Sequence, residues 1–222
     1  MPRTGRAVEA GSICHVLNRG NGRMRLLHKP GDYRAFLHVL TQGLERYPVD
    51  LLTYCLMPNH WHLVLIPKTD TALARFMGWI GVKNVRRHHQ HYHHQAGGHL
   101  YQGRFKSFPV QDDRHFLTLC RYVEGNAVRA RLARRAERWP FGALAQRLER
   151  GADPPLSAWP VDRPAQWRGL VNAGLERADL AGLRRSVARG RPWGEEAWVR
   201  AAAARLGLGF TLRGPGRPAK KP

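Results

Sequence analysis

Cysteine is scarce in this 222-residue chain, and long apolar runs are missing altogether. The three cysteines, Cys14, Cys55 and Cys120, are odd in number, widely spaced and set among apolar residues. This distribution argues against a disulfide framework or a zinc knuckle and is typical of buried thiols in a reducing compartment. No apolar run approaches membrane-spanning length, and the opening MPRTGRAVEAGS has no signal-peptide core. We therefore expect a cytoplasmic protein without a membrane partner.

Acidic residues are also few. Lysine and arginine number 37 against 16 aspartates and glutamates, which gives a net charge of +21 and a pI near 11.3. The excess is spread along the chain: residues 1–150 carry 24 basic and 10 acidic side chains (+14), and residues 151–222 carry 13 and 6 (+7). An excess of this size indicates a polyanionic partner, and its spread favours nucleic acid running over the folded body.

A glycine-rich nucleotide-binding loop is missing as well. The turn NRGNGR, residues 18–23, is too short and lies in the wrong context for a P-loop. The sequence therefore gives no sign that the protein uses a nucleoside triphosphate.

Apolar residues, 43% of the chain, are enough for a core and follow the periods of strands and helices. Residues 12–20 predict a strand, a helix follows with Asp32 as its cap, and VDLLTYCLM and HWHLVLIP predict a hairpin. A second helix is expected with Asp70 as its cap, and residues 104–111 predict a last strand, which Pro109 assigns to an edge. The β-α-β-β-α-β order predicts an α+β fold, a ferredoxin-like antiparallel sheet with helices on one face.

A third helix is expected from about Asp112 to about Arg135. Beside its apolar stripe runs a polar one that contains Tyr122 and Asn126, four residues apart on one helical face. This pair can supply a hydroxyl nucleophile and an oxygen ligand, or it can be an ordinary core tyrosine and an amide bonded to backbone or water. Gly125 inside this helix costs about 1 kcal/mol relative to alanine, which indicates a close neighbour.

The whole chain divides into two parts. Residues 1–150 contain the predicted sheet and its helices, and residues 151–222 form a basic, mainly helical extension. The extension begins with a proline-rich linker and ends with the flexible basic segment RGPGRPAKKP. We interpret the histidine-rich run at residues 88–94 as the solvated end of the second helix.

The segment LMPNHWHLVLI places two histidines, His60 and His62, at the start of an apolar strand. Strand residues two apart share a face, so the two imidazoles are neighbours while Trp61 points the other way. A pair at this spacing can hold a divalent metal, or it can simply lie at a wet sheet edge.

Four segments, HVLNRGNGR, YCLMPNHWHLVLIP, YQGRFKSFPVQDD and CRYVEGNAVRARLARRAERWP, together resemble the REP-associated tyrosine transposases, a branch of the single-strand HUH transposases of bacteria. The order and approximate spacing are those of the family, and RGRPWGEEAWV and GRPAKK resemble its C-terminal extension, so nearly the whole chain is covered. The resemblance implies a ferredoxin-like catalytic core that uses Mg²⁺ or Mn²⁺ and cuts single-stranded DNA beside a hairpin. By position it makes Tyr122 the nucleophile and His60, His62 and Asn126 the metal ligands. Arg131 stands where the family often has glycine, which is expected to alter the end of the catalytic helix.

Such a protein nicks DNA and forms a 5′-phosphotyrosine link. It can then rejoin the DNA, because the energy of the broken bond is kept in that link. Contacts to DNA phosphates are expected from Arg19, Arg23, Arg104 and Lys106, although each can also be a solvated surface charge. Bases are expected to stack on Tyr101, Phe105 or Phe108.

Two other functions remain open at this point. A domesticated family member could bind hairpin DNA with little or no cleavage, and a basic RNA-binding structural protein would also explain the charge. The intact Tyr122, His60, His62 and Asn126 favour the enzyme over the first, and the paired motifs favour it over the second. The sequence leaves open whether the protein is a monomer or a homodimer.

Overall fold

The computed structural model describes residues 8–92, 98–149 and 153–213. Within these ranges, no helix is both long and apolar enough to cross a membrane. Three expectations fall wholly or mainly outside them: the flexible basic end after Arg213, the boundary between the two parts at residues 150 and 151, and the last two histidines of the histidine-rich run.

A four-stranded antiparallel sheet forms the centre of the molecule. Its strands are β1 (Ile13–Arg19), β2 (Val49–Met57), β3 (His60–Pro67) and β4 (Lys106–Val110), in the spatial order β2-β3-β1-β4. With α1 (Pro30–Arg46) after β1 and α2 (Ala72–Tyr92) after β3, this is the ferredoxin-like arrangement. The expected α+β fold and hairpin are confirmed.

Helices α1 and α2 cover one face of the sheet. Their apolar residues pack on the strand side chains of that face, including Trp61, to form the first part of the core. The two helices approach closely at Gly43, where a Cβ would lie 2.9 Å from a ring carbon of Phe76. Glycine at this position therefore sets how near α1 and α2 can lie.

The second face is covered by later helices of the chain, which build a second core. These are α3 (Arg114–Glu124), α4 (Asn126–Arg129), α5 (Ala143–Leu148), α6 (Trp167–Ala173) and α7 (Arg177–Arg189). One more helix, α8 (Glu196–Arg205), follows α7 in the chain. Residues after 153 take part directly: the Trp167 indole donates to the buried Glu124 carboxylate at 2.7 Å, and Leu183 is fully buried. The helices expected in the extension are present.

Both edges of the sheet are covered by other segments. Beside β4, the Trp193 amide donates to the Pro109 carbonyl and the Gln111 amide donates to the Trp193 carbonyl, each at 2.9 Å. Beside β2, the amide of Leu56 donates to the Phe141 carbonyl at 2.9 Å. The placement of Pro109 in an edge strand is confirmed, and its missing N–H costs no pairing within the sheet.

The single helix expected from Asp112 to Arg135 is wrong in its extent. Asp113 caps α3 by accepting from the amide of His115, and the helical conformation ends at Glu124. Gly125 turns the chain with φ −81° and ψ 3°, and α4 adds one turn. Helix formation then stops, with Arg131 in the left-handed region at φ 56°. Glycine adopts this conformation with less strain than arginine.

Two helix caps were also misplaced by the sequence. Helix α1 begins at Pro30, and the carboxylate of Asp32, inside the first turn, accepts from the amides of His28 and Lys29. Asp70 accepts from the amide of Ala10, 60 residues earlier. Short acidic side chains favour both helix starts and loop contacts, so sequence alone did not separate these roles.

The solvated end expected for α2 is wrong at His88. This imidazole is 7% exposed and Asn84, one turn earlier, is 9% exposed. Both continue the buried stripe of Phe76 and Ile80 at intervals of four residues. The stripe stays on the core side of the helix even where its residues become polar.

Candidate active site

Two imidazoles lie side by side where β3 begins. The alternation of the strand sends His60 and His62 toward α3, while Trp61 enters the core beneath α1 and α2. The two imidazole centroids are 5.0 Å apart and the rings are nearly perpendicular. His60 is half-buried and His62 is 2% exposed. The sequence placed this pair correctly on one face.

A third histidine, His15 of β1, supports the pair and was missed by the sequence analysis. Its Nε2 lies 2.9 Å from Nδ1 of His62, and the two rings stack at 5.0 Å. In the strand register His62 lies opposite Leu17, so His15 is its diagonal neighbour on the same face. A histidine inside an apolar strand is unusual enough to be noticed in the sequence. The sequence does not show that His62 is its partner, because that depends on the register between β1 and β3.

The three imidazoles are neutral at physiological pH. Burial lowers the pKa of His15 to about 3, and burial with a nearby Arg19 charge lowers that of His60 to about 4. Burial also lowers the pKa of His62 well below its usual value, and the neighbouring histidines and arginines add to the effect. Neutral imidazole is the form that binds metal ions.

Tyr122 reaches the histidines from α3, whose apolar stripe packs against the second face of the sheet. Its ring is 8% exposed and meets His62 edge to face, with centroids 5.7 Å apart. The guanidinium of Arg129 lies 4.3 Å from the centroid of the same ring and donates to the Tyr122 backbone carbonyl. The orientation of the phenol is thus fixed by an imidazole and a guanidinium.

Asn126 comes to the site because the chain turns at Gly125. Its amide Nδ2 lies 3.4 Å from His60 Nε2. A Cβ at Gly125 would lie 2.9 Å from the Arg121 carbonyl oxygen and 3.2 Å from an Arg129 guanidinium nitrogen. The close neighbour expected at Gly125 is therefore its own preceding turn together with the arginine that packs on Tyr122.

The expected metal ligands fit a divalent cation. His60 Nδ1 lies 2.7 Å from the Asn59 side-chain oxygen, which favours a proton on Nδ1 and leaves the Nε2 lone pair directed at Asn126. Rotation of the Asn126 amide by 180° would present its oxygen at the same place. Among the described residues no three histidine, cysteine or acidic side chains gather around a possible metal, so the amide oxygen has to complete the set. Two imidazoles and one amide would leave positions open for water and phosphate oxygens.

The four basic residues expected to contact DNA differ in where they lie relative to this site and in what they contact. Arg19 is directly opposite His60 in the register and contributes to lowering the pKa of both His60 and His62. Arg23 is exposed in the next turn, and its carbonyl accepts from Asn59 at 3.3 Å. Arg104 is exposed in the loop before β4. Lys106 is exposed on β4, where its ammonium donates to the Ala188 carbonyl at 3.3 Å.

Two arginines beyond those expected also lie at the site. Burial lowers the pKa of Arg129, and the charge of Arg184 on α7 lowers it further. The extension therefore brings a positive charge into electrostatic reach of the guanidinium that packs on Tyr122. Neither arginine was among the residues expected at the site, and Arg184 is 62 residues after Tyr122 in the chain.

The expectation that Phe108 stacks on bases is wrong. It is 1% exposed and packs against His15 with centroids 4.8 Å apart, so it supports the histidines from behind. Tyr101 is half-buried, and its hydroxyl lies 3.4 Å from the Trp61 indole nitrogen.

Comparison with known proteins shows which family the sequence matches. The sequence model of the IS200-like transposases matches residues 10–126. A Haemophilus influenzae protein named as a REP-associated tyrosine transposase is 22% identical over 122 residues, 51% of this chain and 69% of that protein.

Solved structures extend the comparison to the fold. The structure of a REP-associated tyrosine transposase bound to a REP hairpin is 19% identical and has a TM-score of 0.54, over 79% of this chain and 98% of that one. A crystal structure assigned to a Deinococcus radiodurans transposase is 16% identical with a TM-score of 0.40, over 67% of this chain and 97% of that one. The first of these supports the fold described above.

Proposed function

Because the chain belongs to the family of IS200-like transposases, we propose that it nicks and rejoins single-stranded DNA at palindromic, REP-like hairpins through a 5′-phosphotyrosine intermediate. Two of the proteins named above carry the name REP-associated tyrosine transposase, one of them in a structure bound to a REP hairpin. The observation that carries the proposal is the convergence of Tyr122 with His62 at 5.7 Å between ring centroids and of Asn126 with His60 at 3.4 Å. A protein that only binds DNA has no evident need for these four groups together.

In this reaction the Tyr122 hydroxyl oxygen attacks the phosphorus of the scissile phosphodiester. The bond between phosphorus and O3′ breaks, the phenol proton ends on the departing O3′, and the 5′ phosphate stays on the tyrosine. Attack by another 3′-OH reverses the step and joins a new strand. The link conserves the bond energy, so no nucleoside triphosphate is consumed.

The surrounding side chains orient these atoms. His62 and Arg129 hold the Tyr122 ring in place, and the guanidiniums of Arg129 and Arg19 provide positive charge for the phosphate. His60, His62 and Asn126 would hold Mg²⁺ or Mn²⁺, which supplies Lewis-acid polarisation and positioning of the phosphate when bound.

In this proposal residues 1–150 supply the chemistry and residues 151–222 strengthen the grip on DNA. Arg184 supports the second role because it carries the charge of the extension toward Arg129. The reaction takes place in the cytoplasm, where three buried, unpaired cysteines would stay reduced.

Tyr122→Phe tests the nucleophile. A hairpin oligonucleotide labelled at its 3′ end should give a denaturant-resistant protein–DNA band with the unaltered protein and Mg²⁺ or Mn²⁺, whereas a 5′ label should give none. Tyr122→Phe should abolish the band because it removes only the hydroxyl and keeps the ring that packs on His62.

Tyr47→Phe, at a tyrosine that packs on Phe76 and Trp79 on the far face of the sheet, is the matched control and should keep the band. The unaltered protein should also keep it after EDTA followed by excess Mn²⁺. A 3′-labelled adduct on Tyr122→Phe would show that another residue is the nucleophile. If the unaltered protein binds hairpins yet forms no adduct with either metal, the hairpin-binding function replaces the enzymatic one.

A further inference from the structure

A cavity of about 520 Å³ lies between α1 and α2, on the opposite face of the sheet from the histidine pair. Its floor is apolar and comes from the loop after β1, from α1 and from the segment before β4. Leu26, Leu27, Phe36 and Leu100 are the main floor residues. The volume is in the range of pockets that hold a small organic ligand.

One wall of the cavity contains the rings of His88 and Tyr92 on the last turn of α2, tilted by 43° to each other. The Tyr92 ring lies 4.8 Å from His88 and 4.8 Å from His28, between centroids. The Tyr92 hydroxyl donates to Asp32 at 2.5 Å, and the same carboxylate accepts from two backbone amides. Asp32 is therefore occupied in fixing the ring wall and has little acceptor capacity left for a ligand.

Further polar side chains line the cavity besides Asp32. Asn84 is nine-tenths buried and donates from Nδ2 to the Ile80 carbonyl, while its side-chain oxygen has no hydrogen-bond partner among the described residues. Lys29 and Arg87 are exposed at the rim. Neither forms an ion pair within the described part of the chain. The cavity thus offers aromatic rings on one wall, one directed amide and a cationic rim.

The cavity opens at the same end of the sheet as the candidate active site. The loop that carries Leu26 and Leu27 leaves β1 just after Arg19, and the amides of both leucines donate to the Pro58 carbonyl, two residues before His60. Tyr101, which also lines the cavity, contacts Trp61 between the two histidines. A DNA strand that passes around this end can therefore reach both places.

We propose that this cavity binds one unpaired nucleotide of the DNA substrate. The base lies on the ring wall and above the apolar floor, Asn84 contacts its edge, and Arg87 and Lys29 contact the adjoining phosphates. An apolar ligand would leave Asn84 and the cationic rim unused. The inference rests on the proposed function, because it assumes that single-stranded DNA reaches this end of the sheet.

Removal of single bases tests the proposal. The binding partner is a hairpin oligonucleotide with single-stranded flanks, carrying an abasic site at each flank position in turn. Binding is measured without metal on the Tyr122→Phe protein, so that cleavage is not needed. At one flank position the loss of the base should weaken binding about tenfold, the scale of one base stacked on an aromatic side chain.

Gly31→Phe then fills the cavity. Gly31 lines it, and a Cβ there meets nothing within 4 Å, so the larger side chain has room to enter. Gly31→Phe should bind the intact oligonucleotide about tenfold more weakly and should no longer distinguish it from the abasic one. Gly78→Phe on α2, also in open space but away from the cavity, is the matched control and should keep the distinction.

A second comparison uses exposed residues that leave the fold intact. Arg86 and Arg87 are neighbours on α2 and both are exposed, but only Arg87 lines the cavity. Arg87→Ala should weaken binding several-fold more than Arg86→Ala at the same salt concentration.

Two results would overturn the proposal. One is a scan in which Gly31→Phe leaves every abasic effect unchanged. The other is binding of free deoxynucleoside monophosphates that Gly31→Phe abolishes, without any abasic effect in DNA, which would assign the cavity to a free nucleotide. If no abasic position weakens binding and the covalent adduct still forms, only the proposal for the cavity is rejected. If one abasic position weakens binding but no adduct forms, only the proposed enzymatic function is rejected.

Discussion

At the scale of single residues, the buried histidines make the stability of the protein depend on pH. His15 has a pKa of about 3 in the folded protein and about 6.5 when unfolded. Between these values only the unfolded chain takes up the proton, so the free energy of unfolding falls as pH falls from 6.5. At pH 5 this loss is about 2 kcal/mol for one such histidine.

His15→Phe isolates this effect. Urea unfolding of the metal-free protein at pH 7 and pH 5 should show a smaller loss of stability for the variant, because phenylalanine has no proton to gain. The other titrating groups are present in both proteins, and loss of the His15 contribution to the lowered pKa of His62 acts in the same direction. Equal losses in the two proteins would contradict the low pKa of His15.

Single residues were predicted best where one local period decided their position. Strand alternation placed His60 beside His62, whereas Asn126 comes to the site through the turn at Gly125, which helical spacing did not predict. His15 and Arg184 were not predicted, because each acts on a residue at least 47 positions away in the chain. His15 meets His62 through the strand register, and Arg184 reaches Arg129 from a later helix. His88 could have been found, since it continues the four-residue spacing of Phe76, Ile80 and Asn84.

At the scale of elements, the turn between α3 and α4 depends on glycine. The Cβ of Gly125→Ala would meet the Arg121 carbonyl oxygen at 2.9 Å, and a backbone atom has little freedom to move away. We expect a loss of about 1–3 kcal/mol in the free energy of unfolding, reduced by about 1 kcal/mol of helix propensity. Adduct formation should fall further, because α4 carries Asn126 and Arg129.

Gly81→Ala in α2 is the matched control. A Cβ there meets nothing within 4 Å, so only the gain in helix propensity remains. The midpoint temperature of thermal unfolding should be higher for Gly81→Ala and lower for Gly125→Ala than for the unaltered protein. The yield of covalent adduct should change only in Gly125→Ala. A stabilising Gly125→Ala would mean that α3 and α4 can join into the continuous helix suggested by periodicity.

At the scale of the whole molecule, positive charge from both parts of the chain meets near Tyr122. Arg184 and Arg185 are exposed neighbours on α7, pointing about 100° apart, and only Arg184 contributes to the pKa of Arg129. Arg184→Gln should weaken hairpin binding several-fold and lower the slope of log K against log salt by about 1. Arg185→Gln should change both less, as measured by fluorescence anisotropy at several salt concentrations. Equal effects would mean that the extension acts through its overall charge.

The covered edges of the sheet limit how copies of this protein can associate. An open edge strand offers unpaired N–H and C=O groups to any other strand, which is a common route to aggregation and strand exchange. Here β4 is paired with the segment at Trp193, and β2 is bonded at Leu56 to Phe141 and at Leu51 to Ser157. A second copy would have to displace these segments before it could extend the sheet. A chain that has released its extension, by proteolysis or partial unfolding, would expose β4 and become prone to self-association.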